Sequence, residues 1–458
     1  MTTATAVPEP RLLSRRVLAW AAWDWGSASF NAVITTFVFT VYLTSSAFVD
    51  PALRSGTAAF REAQSGLSTG LGTGIALAGV VVALVAPVVG RRADVTGRRR
   101  RGLAIASAVV VLCMLAMVAV IGRPPFFLLG VALVAIGTIA YEAGAVNYNA
   151  MLLPVSTPRT IGRISAFGWA SGYVGGIVLL VVLFLTLIPQ GPQVLHLPGL
   201  DADGLGVRLC AVLCGLWFAV FTVPLLLAVP DEPVAAPERT GLLATYARLG
   251  RDIAALARTD RNLLAFLIAS AVFRDGLTGV FTFGAVIAST VFGFTFGQVL
   301  IFGIAANLVA GVGTLVSGRF DDLLGPKPVI LVSLIGLVVA GGAVFLLRDA
   351  GTAVFWVGGL VLSVFVGPAQ TSSRSLLGRL APPERTGELF GLYATTGRAA
   401  SFIAPAAFAA FTGIAHDQGF GILGIVLVLA VGLVLTLPVR GAAGRRAARR
   451  PAKEERVR

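Results

Sequence analysis

The sequence predicts an all-α membrane protein: twelve transmembrane helices in two pseudo-symmetric six-helix halves. Three observations predict it. The 458 residues are 56% hydrophobic and 13% charged, against ~25% charged in a soluble domain, so a water-facing surface cannot be built from them. Twelve apolar runs long enough to cross a bilayer follow one another, centred near Ile34, Gly79, Leu112, Ala135, Leu179, Phe218, Phe281, Ala306, Ile335, Leu360, Ala399 and Val428. Two loop motifs also recur at nearly one offset.

Taken in order, residues 1–16 are polar and read as a disordered cytoplasmic N-terminus. The next run lacks a small-residue cleavage site and reads as an anchor, not a signal core. Residues 17–229 hold the first six spans, 230–261 a cytoplasmic linker, 262–438 the second six spans and 439–458 a basic tail. Within the linker, Leu242, Tyr246, Leu249, Ile253 and Leu256 recur at helical spacing behind a capping Thr240. That pattern is an amphipathic helix lying under the membrane. The tail is drawn to anionic lipid.

Net charge is +14. In a soluble chain that would suggest nucleic acid. Here the arginines cluster between apolar runs, so they act as topology signals, and the expected partner is a bilayer with an anionic inner leaflet. With the N-terminus inside, the inner segments carry 29 Lys and Arg and the outer loops 5, with Arg274 and Arg398 inside spans. That bias puts both termini in the cytoplasm of a multi-pass plasma-membrane protein.

The loop after span 2 reads GRRADVTGRRRR and the loop after span 8 reads GRFDDLLGPK. Gly90, Asp94 and Gly97 match Gly318, Asp322 and Gly325 at an offset of 228. PRTIG before span 5 and PERTG before span 11 match at 225. Repeated halves place a transporter's substrate site at their interface near the midplane. In the loops, Gly permits a tight turn. Asp can accept from helix-end amides or pair with an Arg across the halves. The basic run with Arg98 and Arg99 holds the loop at the lipid surface. Together these residues read as a cytoplasmic gate.

The GRRADVTGRRRR loop resembles the signature loop of the major facilitator superfamily, with Arg92 where the family has an apolar residue. AWDWGSASFNAVITTFVFTVYL, NYNAMLLPVSTPRTIGRISAFGWASGYVGG, FRDGLTGVFTFGAV and QTSSRSLLGRLAPPERTGELFGLYATTGRAASFIAP are similar to the branch of autophagy-related vacuolar effluxers and their bacterial relatives. The resemblance implies twelve helices, rocker-switch alternating access, a cavity lined by helices 1, 4 and 7, amino-acid efflux in the vacuolar members, and a monomer. It also points to a small-molecule substrate, with proton coupling left open.

Charges inside spans are costly and mark pathways or partners. Asp24, Glu142, Arg274, Asp275 and Arg398 stand out. Asp24, Ala28, Asn31 and Thr35 share one helical face, as do Asp275, Thr278 and Thr282. Asp24, Asn31, Glu142, Asn147, Asn149, Asp275 and Arg398 are the candidate substrate or proton pathway. For Asp24 the alternative is an interhelical lock with Arg398 or a cytoplasmic gate residue. Trp23, Trp25, Tyr141, Tyr148, Trp169, Tyr173 and Tyr393 shape a pocket or anchor and pack the helices. Gly168, Gly172, Gly175 and Gly176 on span 5 let another helix approach closely. That run resembles an antiporter motif, but Tyr173 stands where the motif has Pro.

Cys113, Cys210 and Cys214 lie in apolar runs and read as packing thiols, while His196 and His416 fall in loops. No His, Cys and carboxylate cluster has metal-ligand spacing, and no cofactor is implied. The rival class, a polytopic lipid-modifying enzyme, would want a His/Asp or paired-carboxylate cluster near a membrane face. A primary pump would need a nucleotide-binding loop. The sequence has neither.

Overall fold

A computed structural model describes residues 11–55, 57–188, 194, 199–200, 202–231, 251, 256, 258, 260–294, 296–415 and 417–441. The amphipathic helix expected around 240–259 falls mostly outside the described residues, as do the tail beyond 441 and the loop histidines. Among the described residues, twelve helices are long and apolar enough to cross a membrane. They are α1 (Arg15–Leu43), α2 (Ala58–Thr96), α3 (Arg99–Ala116), α4 (Phe127–Ala150), α5 (Ile161–Thr186) and α6 (Leu205–Ala228), then α7 (Arg261–Thr290), α8 (Phe296–Leu324), α9 (Pro326–Leu346), α10 (Thr352–Leu380), α11 (Thr386–Ala415) and α12 (Gly421–Thr436).

Each half has its own apolar core. The first centres on Trp20, Trp23, Phe30, Tyr148 and Phe218. The second centres on Phe266, Phe273, Phe390 and Leu429, and it takes in Val82, Ala86, Val146 and Ala150 from α2 and α4 of the other half. Large apolar side chains stay exposed on α3 (Leu112), α6 (Leu227), α9 (Val339) and α12 (Val434). In a membrane these are the lipid-facing surfaces.

Two helices depart from regular α geometry. In α1, Ser29–Phe37 is π-helical. The hydroxyls of Thr35 and Thr36 both donate to the Asn31 carbonyl, at 2.8 and 2.7 Å. The 3.6-residue face expected from Asp24 through Thr35 is therefore widened, and Thr36 joins Asn31 in exposure. Such π-segments are rare and recur at functional sites. In α11, helical geometry breaks between Ala400 and Ile403.

The α2–α3 and α8–α9 loops share one face of the bundle, termed the basic face. There the halves press together. A Cβ on Gly391 of α11 would sit 2.5 Å from the Ala86 carbonyl of α2, and one on Gly318 of α8 would sit 2.8 Å from Arg163 Cα of α5. Gly90 is in contact with the Gly387 carbonyl. Of the repeat glycines, Gly97 (φ 65°) and Gly325 (φ 89°) make the turns, as expected. Gly90 and Gly318 lie inside helices and serve close approach instead, a correction to a turn role for the whole motif.

Candidate transport pathway

The two repeat aspartates occupy equivalent places. Asp94, near the end of α2, accepts the backbone N–H groups of Gly387 and Glu388 at 2.9 and 2.8 Å. Asp322, near the end of α8, accepts those of Gly162 and Arg163 at 2.8 and 3.2 Å. Each carboxylate thus caps the first turn of a helix in the opposite half, where free amides and the helix dipole favour negative charge. Arg99 donates to Asp94 at 2.8 Å, and Arg379 donates to Asp322 at 3.2 Å. Arg98 is exposed and forms the N-cap position of α3. The symmetry has one exchange: Arg163 faces Asp322 at 3.6 Å, whereas its repeat mate Glu388 faces Arg91 at 3.8 Å.

Deeper in the bundle, Arg374 of α10 reaches into the first half. It donates from Nε to Ser165 Oγ at 3.0 Å, from Nη2 to the Ser165 carbonyl at 2.6 Å and from Nη1 to Asn149 Oδ1 at 3.1 Å. Asp24 Oδ2 lies 3.7 Å from its Nη1 and accepts the Tyr148 hydroxyl at 2.7 Å. The rings of Trp20, Trp169 and Tyr148 stand 5.2, 5.8 and 5.9 Å from the guanidinium carbon. Arg374 is 4% exposed. The inner-segment total of 29 basic residues wrongly includes Arg374: α10 continues to Leu380, so Arg374 lies inside the helix. Asp24 is locked, but to Arg374 and not to Arg398.

Further from the basic face, Arg398 of α11 pairs with Glu142 of α4 across the halves, the side chains 32% and 21% exposed. The Asn31 amide donates to the Tyr141 hydroxyl at 2.7 Å, on the residue beside Glu142. Arg274 lies flat on the Tyr393 ring, 3.7 Å from its centroid, and donates to the Tyr393 carbonyl at 3.0 Å. Gly397 leaves room for this guanidinium. Among the described residues, Arg274 has no carboxylate partner. Asp275, 6% exposed, turns the other way and accepts the Ala404 N–H at 2.6 Å, capping the second segment of α11 where that helix breaks.

The structure therefore gathers Asp24, Asn149 and Arg374 in one cluster and Asn31, Glu142 and Arg398 in another. It leaves Asn147 out: this residue is 1% exposed, donates to the Ala143 carbonyl at 3.0 Å and packs on Gly102 of α3. The glycine run of α5 lies on α1. A Cβ on Gly168 would meet Trp20 at 2.6 Å and Asp24 Oδ2 at 2.8 Å, one on Gly175 would meet the Trp25 carbonyl at 2.7 Å, and Gly172 and Gly176 line the same contact. The residue that sequence reasoning missed is Arg374. The repeat held the signal, because Arg374 lies 225 residues after Asn149, the offset of the PERTG motif.

Twelve helices in repeated halves, closed by matched aspartates at one face and holding paired charges between them, define a transporter of the major facilitator fold. Solved structures agree on the fold. The human organic anion transporter MFSD10 superposes with a TM-score of 0.69 at 16% identity over 92% of this chain and 99% of that one. The proton:xylose symporter XylE gives 0.67 at 15% over 93% and 95%. The profile described as "Vacuole effluxer Atg22 like" matches residues 72–449, and the chain belongs to that family. An uncharacterised MFS-type transporter, YxiO of Bacillus subtilis, is 24% identical over 91% of this chain and 93% of its own. Autophagy-related protein 22 of Cryptococcus neoformans is 28% identical over 64% of this chain. The chain spans about half the length of that fungal relative, 55%.

Proposed function

We propose that this protein is a secondary active transporter working by alternating access, set in the plasma membrane with both termini cytoplasmic, and that it exports a small polar metabolite of the amino-acid type. The carrying observation is the Glu142–Arg398 pair, which bridges the halves and stays partly exposed. A carboxylate and a guanidinium side by side complement the ammonium and carboxylate of a zwitterion. Arg274, which has no carboxylate partner among the described residues, adds a second cation beside Gly397 for the substrate's acid group. The basic bias, 28 to 5 once Arg374 is moved from the inner count of 29 into a span, supports the orientation. Glu142 and Asp24 are the carboxylates on which a proton gradient would act.

Counterflow tests this reading. Proteoliposomes loaded with unlabelled amino acids should accumulate a labelled pool from outside, and a pH gradient should change the rate if protons are coupled. Well-inserted protein that accumulates none of the pool refutes the amino-acid class.

A further inference from the structure

The Arg374 cluster is asymmetric in a way that bears on its use. Its acceptors and rings, Asp24, Trp20, Tyr148, Asn149, Ser165 and Trp169, all belong to the first half, on α1, α4 and α5. From the second half come the guanidinium and, beside it on α10, the Thr371 carbonyl, which accepts the Ser165 hydroxyl at 3.1 Å. The cage also holds itself together without Arg374. The Trp20 indole N–H donates to the Tyr148 carbonyl at 3.2 Å, and the two rings stack with centroids 4.6 Å apart. The Trp23 indole N–H donates to Ser107 at 3.1 Å behind them. The Tyr148 hydroxyl fixes the Asp24 carboxylate, and Gly168 leaves room for it. When the halves part at the basic face, Arg374 must leave with α10. It then leaves behind an oriented carboxylate, aromatic faces and two neutral acceptors, all opening to that face.

We propose that this cage is a binding site for an organic cation, a primary ammonium or guanidinium group, which Arg374 fills while the basic face is closed and vacates when it opens. The inference rests on alternating access but not on the identity of the substrate. Carboxylate, ring faces and the Asn149 and Ser165 oxygens match the donor set of such a cation. The cage would be a first landing point for a cationic group entering from the basic face, and the return of Arg374 would expel that group as the face closes.

The test uses methylguanidinium chloride at millimolar concentration, against KCl at equal ionic strength, with thermal unfolding of the purified protein as readout. Arg374→Ala empties the cage directly. Asp94→Asn with Asp322→Asn unlatches the basic face and keeps Arg374. A saturable rise in melting temperature is expected in these variants and not in wild type. Adding Asp24→Asn should weaken the midpoint at least tenfold. A shift in either variant that Asp24→Asn weakens in this way supports the site. No saturable shift in either folded variant, or a shift that survives Asp24→Asn, overturns it. The readout needs no transported substrate, so counterflow can fail while the cage stands, and the reverse.

Discussion

Glu142 and Arg398 hold each other across the halves while still touching solvent, and this sets what their loss should do. A fully buried pair broken on one side costs about 3–5 kcal/mol, but exposed pairs are worth about 0–1 kcal/mol. Glu142→Gln and Arg398→Gln should therefore each leave the melting temperature within a few degrees of wild type. Each should lower the counterflow rate at least tenfold, because in the proposed function the substrate binds to these charges, whereas folding does not depend on them. Normal rates in either variant would remove the pair from the pathway. The sequence announced these two residues because a lone charge in an apolar run is visible at once. Arg374 was hidden for the opposite reason. It follows Thr371, Ser372 and Ser373, a polar stretch that reads as the end of a span, yet all three are buried in α10 with it. Thr371 bonds back to the Pro368 carbonyl at 3.3 Å and Ser373 pairs with the Tyr393 hydroxyl of α11 at 2.8 Å, so a polar run need not end a helix. Asn147 misled in the other direction: it is polar, as the pathway residues are, but its helical phase turns it to α3.

At the scale of elements, the halves close through helix ends and glycines. Asp94 caps the start of α11 and Asp322 caps the start of α5. Removing a cap costs about 0.5–2 kcal/mol, which the rest of the fold tolerates but a closed state must spend again in every cycle. Asp94→Ala should leave a folded protein with slower transport, and wild-type turnover in that variant would refute the gate. Gly391→Ala should act on the same contact by steric means. Its Cβ would meet the backbone of Ala86 and Pro87 at 2.5 and 2.6 Å, and backbone cannot rotate away. The expected result is a protein that folds but no longer closes the basic face. The repeated loops were legible because turn glycines and capping aspartates leave a spacing in the sequence. The use of Gly90 and Gly318 for close packing was not, since helix contact leaves no local mark. The π-segment of α1 was equally silent: its residues suit an ordinary α-helix, and the widening comes from tertiary context.

For the whole molecule, composition, the length of the apolar runs and the repeated loops carried the class, twelve spans in two halves, because bilayer thickness fixes helix length. The conformational state was not legible, since one sequence must encode both the closed and the open arrangement. In this structure the inter-half bonds run from Arg91–Glu388 at the basic face to Glu142–Arg398, while positions such as Gly66, Gly72 and Gly284 have nothing within 4 Å of a built Cβ. The central claim is that the same halves also rock the other way. Spin-label distances test it most directly, with one pair at Arg98 and Glu384 on the basic face and one at Ala58 and Ile414 toward the opposite face, in proteoliposomes with and without the amino-acid pool. The account expects two populations for each pair, the first lengthening as the second shortens. A single unchanging distance for both pairs, in protein active for counterflow, would contradict it.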